Sequence, residues 1–329
     1  MWEENRKSKD VNDVSLFLDV FILAIIQTFH ITIGMSKKIG WIGTGVMGAP
    51  MAGHLQAAGH ELFIYNRTPA KAQALVDTGA ILCDSPREVA ENTEIIFLIV
   101  GYPADVEATI LGDAGILRGA NKGSVIIDMT TSEPSLAKRI HDTAKEKGVD
   151  ILDAPVSGGD IGARNATLAI MVGGERVVFD RMQSLLEILG QNIAYMGLSG
   201  AGQHTKMSNQ VLIAGTMIGV VESLLYAFKA GLDRDKVIAV IGSGAAGSWS
   251  INNLGPRIVN EDYDPGFFIK HFVKDMGIAL AEAKRMNLSL PGLALVNQFY
   301  QAAMAQGLED MGTQGLYKVI QRLSSLEKS

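Results

Sequence analysis

The chain has 329 residues, 47% of them hydrophobic and 19% charged, with a formal net charge of -6. That length accommodates two domains of ordinary size. The mild acidity gives no general attraction for phosphate backbones or anionic lipid, so neither nucleic acid nor membrane is expected as a partner. The lone cysteine, Cys83, excludes an internal disulfide and a thiolate metal cluster, and a reducing cytoplasm is its natural setting.

In chain order, Val14 to Gly34 is apolar and nearly long enough to cross a bilayer. Asp19 inside it costs about 2.5 to 3.5 kcal/mol at a membrane centre, and Gln27, Thr28 and His30 add to that. No small-residue cleavage pattern follows. The chain then restarts as Met35-Ser36-Lys37-Lys38, so residues 1–34 are expected to be an extension outside the fold, with Met35 as the biological start.

From Lys38 onward short apolar runs alternate with helical patterns. Strands are predicted at Lys38–Ile42, Leu62–Tyr65, Ile95–Val100, Val125–Met129, Val149–Asp153, Leu168–Val172 and Ile193–Met196, with helices such as Pro69–Val76 and Pro134–Lys147 between them. Continuous apolar strands joined by helices indicate an α/β fold with a doubly wound, mostly parallel sheet covered on both faces. After Gly202 only helical patterns appear, near Lys236–Ile241, His271–Met286 and Leu293–Gln306. Val211 to Phe228 is apolar on nearly all sides and predicts a helix buried all round. The expected division is a dinucleotide-binding domain over 35–198 and an all-α domain over 199–329.

Gly43-Thr44-Gly45-Val46-Met47-Gly48 matches the G-x-G-x-x-G fingerprint. With 36 glycines the pattern alone is weak, roughly 0.4 matches being expected by chance. Gly242-Ser243-Gly244-Ala245-Ala246-Gly247 indeed matches as well. Only the first follows a strand, opens a helix and leads at once to a second strand, the unit that sets a pyrophosphate on a helix N-terminus. The second is preceded by a helical pattern and has no room for a crossover. At the end of the second strand, where an acid would bind the ribose hydroxyls of NAD, the chain reads Asn66-Arg67-Thr68. Arg67 suits a 2′-phosphate, so NADP is favoured, with NAD as the alternative.

Reduction of a carbonyl by hydride needs a proton donor beside the oxygen, and oxidation needs the same group as a base. Two stretches near the domain junction qualify. In Asp153–Asp160, the hydroxyl of Ser157 and the amides of Gly158 and Gly159 suit a carboxylate, although a purely structural glycine turn reads the same way. In Gly200–Gln210, Lys206 shares a helix face with Asn209 and Gln210 at the mouth of the apolar helix. Partial burial there lowers an amine's affinity for protons toward a useful range. Lys274-Asp275, by spacing alone, is a charged helix segment. No close His/Asp/Glu cluster suggests a metal.

Taken together, Ile42–Gly48, Asp153–Gly159, Gly200–Asn209 and Lys274-Asp275 resemble the β-hydroxyacid dehydrogenase family, over roughly residues 38–325 and in the right order. That family includes 3-hydroxyisobutyrate dehydrogenase, tartronate semialdehyde reductase and the glyoxylate/succinic semialdehyde reductases. The resemblance implies a Rossmann domain followed by a helical domain, a homodimer or homotetramer built through the helices, and a small hydroxy acid or semialdehyde as substrate. By the same resemblance Lys206 is the acid/base, Asn209 orients it or the substrate, and Ser157, Gly158 and Gly159 hold the substrate carboxylate. Val100, Thr131 and Lys274 would contact the cofactor. Many members carry a second asparagine where this chain has Gln210. A 3-hydroxyisobutyrate dehydrogenase-like activity is expected, with an NADPH-dependent glyoxylate or succinic semialdehyde reductase as the alternative. From another class, a catalytically silent NADP-binding scaffold competes, although such relatives tend to lose the lysine.

Overall fold

The computed structural model describes residues 36–326. The apolar stretch Val14–Gly34 and the start expected at Met35 lie outside the described residues.

The first half alternates as predicted. The strands are β1 (Lys38–Ile42), β2 (Glu61–Tyr65), β3 (Ile81–Leu82), β4 (Ile95–Leu98), β5 (Val125–Asp128), β6 (Asp150–Asp153), β7 (Val156–Ser157), β8 (Leu168–Gly173) and β9 (Gly190–Gly197). The main helices among them are α1 (Gly48–Ala57), α2 (Pro86–Asn92), α3 (Pro103–Leu111), α4 (Pro134–Glu146), α5 (Gly159–Arg164) and α6 (Arg176–Leu186). Pro86, Pro103 and Pro134 each open a helix, where a fixed φ is preorganised and the missing N–H costs nothing. The sheet order is β3-β2-β1-β4-β5-β6-β8-β7, with β9 beside β8. Strands β1 to β6 pair in parallel, whereas β8 runs antiparallel to β6 and β7 and parallel to β9. β3 and β7 are absent from the predicted set because two residues are too few to produce an apolar run.

Each sheet face has its own core. Ile39 and Trp41 of β1 pack with Met51 and Leu55 of α1, and Trp41 stacks on Phe97 with centroids 5.5 Å apart. Ile42 points to the opposite face, with Val89, Val106 and Ile140 of α2, α3 and α4. Burial on both faces is why the strands read as continuous rather than alternating apolar runs.

The second half is helical: α7 (Ala201–Lys229), α8 (Arg234–Ile241), α9 (Ile269–Arg285), α10 (Pro291–Ala305) and α11 (Leu316–Leu323), with short helices at Trp249–Asn253 and Gly255–Val259. α7 is long and apolar enough, by length and composition, to cross a membrane, a test that core helices also pass. It is a core helix on one side, where Ala214, Val221 and Leu224 meet Phe272, Met276 and Tyr300. The expectation of burial all round fails, because Leu212 and Tyr226 stand 72% and 76% exposed. The neighbouring helices of one chain cover a single side of α7, so an apolar stripe remains on the other.

Gly242–Gly247 follows α8 as a turn, with no strand before it.

Candidate active site

The chain leaves β1 through a left-handed Gly43 (φ +95), whose amide donates to the Tyr65 carbonyl at 2.9 Å. A Cβ at Gly43 would stand 2.1 Å from the Ile99 carbonyl oxygen, and one at Gly48 would stand 2.0 Å from that of Gly43. Those two glycines therefore permit the tight turn into α1. At Gly45 a Cβ would meet nothing within 4 Å, so its backbone faces open space, and Val46 beside it is exposed. Thr44 is buried with an unpartnered hydroxyl. An open backbone at a helix N-terminus, at the point where the sheet order turns from β1 to β4, fits a dinucleotide pyrophosphate.

At the end of β2, Asn66 braces this loop. Its Oδ1 accepts from the Thr44 amide at 2.9 Å and its Nδ2 donates to the Thr68 carbonyl at 2.8 Å. Arg67 is exposed and pairs with Asp105 at 3.2 Å. An exposed pair of this kind is worth about 0 to 1 kcal/mol and exchanges readily for another anion.

The second cluster lies where α7 meets the strand ends. Asp153, the last residue of β6, accepts from the Gly200 amide at 2.8 Å and the Gln203 amide at 2.9 Å, capping α7 with a carboxylate from another element. Burial pushes its carboxyl up to about 6, against the pull of those amides. Asp128, its neighbour in register on β5, is pushed up to about 7, first by burial, with hydrogen bonds from Thr130 opposing. Gln203 reaches the loop after β5. One turn further along α7, Lys206 is buried at 7% exposure, and among the described residues none hydrogen-bonds its amine. Burial, opposed by Asp275 and assisted by Lys274, pushes it down to about 8.

Asn209 turns its amide to Gln210 (2.7 Å), and Gln210 donates to Asp275 Oδ2 at 2.6 Å. The Lys274 amine lies 3.1 Å from the other Asp275 oxygen. It also donates to the carbonyls of Thr131 (2.8 Å) and Gly101 (3.3 Å). The Val100 amide donates to the Thr130 hydroxyl at 3.0 Å. Thr131, Lys274, Asp275, Gln210 and Asn209 thus form one connected network, with Val100 tied to the adjacent Thr130 and Lys206 feeling its charges. Ser157 and the left-handed Gly158 and Gly159 form the turn from β7 into α5, over which a Cβ at Gly159 would approach Gly266 at 3.8 Å.

Three participants were not singled out from sequence. Asp153 carried a signal, since a carboxylate closing an apolar strand needs a partner. Asp275 was visible only as the neighbour of Lys274. Gln203 had none, because its partners arrive from a loop 71 to 73 residues away.

A parallel sheet with a glycine turn at its switch point, followed by an all-helical half, is an architecture suited to binding a dinucleotide. The model for the NAD binding domain of 6-phosphogluconate dehydrogenase matches residues 38–197. That for the NAD-binding domain of NADP-dependent 3-hydroxyisobutyrate dehydrogenase matches residues 200–320. The chain is 51% identical over 285 residues to the uncharacterized oxidoreductase YkwC of Bacillus subtilis, covering 87% of this chain and 99% of that one. It is 51% identical over 292 residues to the probable 3-hydroxyisobutyrate dehydrogenase-like 1, mitochondrial, of Arabidopsis thaliana, covering 88% and 87%. The solved structure of Mycobacterium tuberculosis 3-hydroxyisobutyrate dehydrogenase with L-serine superposes with a TM-score of 0.80 at 28% identity, covering 87% of this chain and 99% of that one. The chain belongs to the β-hydroxyacid dehydrogenase family, as its motifs led us to expect, and is an NAD(P)-dependent dehydrogenase or reductase acting on hydroxy acids.

Proposed function

We propose that the protein interconverts a small β-hydroxyacid and its semialdehyde, with Lys206 as the proton-transfer residue and NADP as the preferred cofactor. The observation that carries this is the Lys206 amine: buried, without a hydrogen bond to any of the described residues, and held down at about 8 chiefly by burial. A group titrating there is available in both forms near neutral pH. The nicotinamide, when bound, supplies or accepts the hydride at the carbonyl carbon. In reduction the Lys206 ammonium gives its proton to the carbonyl oxygen as charge develops, and in oxidation the neutral amine removes the hydroxyl proton. Asn209, one turn on, orients the amine or the substrate oxygen. The Ser157 hydroxyl with the Gly158 and Gly159 amides holds the carboxylate.

The NADP preference is supported by Arg67 just after β2, exposed and held through a surface pair with Asp105. Gly43–Gly48 would cradle the pyrophosphate, with Asn66 and Thr68 shaping the ribose end and Val100, Thr131 and Lys274 the nicotinamide end. The exposed stripe of Leu212 and Tyr226 on α7 supports a homodimer or homotetramer built through the helices. A reducing compartment suits Cys83, whose buried thiol is pushed up to about 11.

Lys206→Ala or Lys206→Met should lower kcat by roughly 10² to 10⁴ while NADPH binding persists. Unchanged turnover would reject the role assigned to Lys206. The second substrate reading, an NADPH-dependent reductase of glyoxylate or succinic semialdehyde, is favoured by Asn66-Arg67-Thr68. Initial rates with glyoxylate, succinic semialdehyde, tartronate semialdehyde and methylmalonate semialdehyde, each with NADH and NADPH, separate the two.

A further inference from the structure

We infer that Gln203, backed by Asp153, is a positioning residue that sets where Lys206 stands relative to the cofactor-side loop. This rests on the proton-transfer role of Lys206 proposed above. Gln203 is fully buried, and its amide makes two bonds of opposite polarity to a single turn. Its Nε2 donates to the Thr130 carbonyl at 2.7 Å, and its Oε1 accepts from the Ser132 amide at 2.9 Å. Between those two residues lies Thr131, whose carbonyl takes the Lys274 amine. One side chain therefore ties the start of α7 to the loop that carries the cofactor-side contacts.

The other side of the same helical turn is held from β6 and β8. Asp153 grips the amides of Gly200 and Gln203. The backbones meet so closely that a Cβ at Gly202 would stand 2.4 Å from both the Asp153 and Met171 carbonyl oxygens. A Cβ at Gly173 would stand 2.7 Å from the Gly202 nitrogen. These are backbone contacts with little freedom to yield. Lys206 follows Gln203 at i+3, on the neighbouring turn of the same face. A slip of α7 by one residue moves the lysine about 1.5 Å along the axis and about 100° around it, and a displacement of about 1 Å in a reacting group costs roughly 10²-fold in rate. An amide satisfies both bonds at any pH, donating to one carbonyl and accepting from one amide. A leucine makes neither. An ionised glutamate accepts from Ser132 but sets oxygen against the Thr130 carbonyl until it is protonated.

The charged groups around the lysine amine are Asp275 and Lys274 from α9, with Asp153 at the end of β6 and Asp128 at the end of β5 behind the turn. The test compares Gln203→Leu, Gln203→Glu and Lys206→Ala with the parent chain. It measures Tm, NADPH affinity by fluorescence titration, and the pH profile of kcat for the best aldehyde of the four named above. We expect Gln203→Leu to bind NADPH within about threefold of the parent and to lose roughly 10- to 100-fold in kcat. The alkaline midpoint of its reduction profile should rise toward an ordinary lysine value as the amine gains water. Gln203→Glu should be similarly impaired at pH 8 and should recover relative to the parent as the pH falls and its carboxyl gains the proton that Thr130 needs. Gln203→Glu carries the test should Gln203→Leu not fold. Parental kcat in the folded variants, or a loss with an unmoved midpoint and no recovery at low pH, overturns the positioning role. Parental kcat in Lys206→Ala instead overturns the proton-transfer reading on which it rests.

Discussion

Gly43–Gly48 and Gly242–Gly247 have the same glycine spacing and are built for different ends. The first leaves a parallel strand at the point where the sheet order turns, and Gly45 at its centre faces open space. The second ends a helix, and its outer glycines serve chain packing. A Cβ at Gly242 would stand 2.2 Å from the Asn252 side chain, and one at Gly247 would stand 2.5 Å from the Gly242 carbonyl. Glycine spacing alone thus reports a tight turn. What makes such a turn a nucleotide site is the strand before it and the helix N-terminus after it, which aim amides at a common point.

The strongest way to break this comparison is to add one methyl group at each centre. Gly45→Ala has room within the chain and no left-handed backbone to strain, so it should fold normally. It should nevertheless weaken NADPH binding roughly 10- to 100-fold, the cost of about 1 to 3 kcal/mol for overfilling a packed site. Gly244→Ala, whose Cβ would meet only the Ile241 carbonyl at 3.8 Å, should leave fluorescence titrations with NADPH unchanged. Equal losses, or none at either position, would erase the distinction. A smaller effect sharpens what the first loop binds. Arg67→Ala should raise KM for NADPH by roughly 10-fold, the size of one lost charge-assisted pair, and leave KM for NADH within about twofold. A parallel rise for both cofactors would remove the 2′-phosphate assignment.

The smallest effect concerns charge behind the start of α7, where Asp128 and Asp153 are buried at strand ends. Asp128 titrates at about 7 when folded, well above an ordinary carboxyl, so the folded state holds its proton more tightly. The resulting stability is fully present below the unfolded value near 4 and is lost as pH rises through about 7. Asp128→Asn should therefore flatten the dependence of Tm on pH between about 4 and 7. At pH 8 it should raise Tm by roughly 2 to 4 °C, the shift that about 1 kcal/mol produces in a domain of 150 to 250 residues. Calorimetry at pH 5 and pH 8 that gives the same difference between parent and variant at both values would contradict the buried-charge assignment.

Much of the fold was legible because its signals are local. Strands buried on both faces must be apolar throughout, and β1 has the bounds its sequence predicts. Glycine-containing turns and proline-opened helices announce themselves by dihedral preference. The α7 stripe was misread, because apolar residues on every side look alike whether a neighbouring helix or nothing within the chain covers them. Of the candidate site, the loop chemistry of Gly43–Gly48 and the residue types at Lys206 and Lys274 could be picked out from motifs. Their bonding could not.

By itself, then, the sequence determined the alternation of elements, the parallel sheet, the first glycine loop's place in a strand-turn-helix unit and the family. Those properties depend on neighbours within a few residues or on motif order. Only the tertiary structure decided that Asp153 caps α7, that Gln203 bridges Thr130 and Ser132, and that Gln210 reaches Asp275. Each of those bonds joins residues at least 47 positions apart, and a buried polar group finds its partner only once the chain has brought the two together.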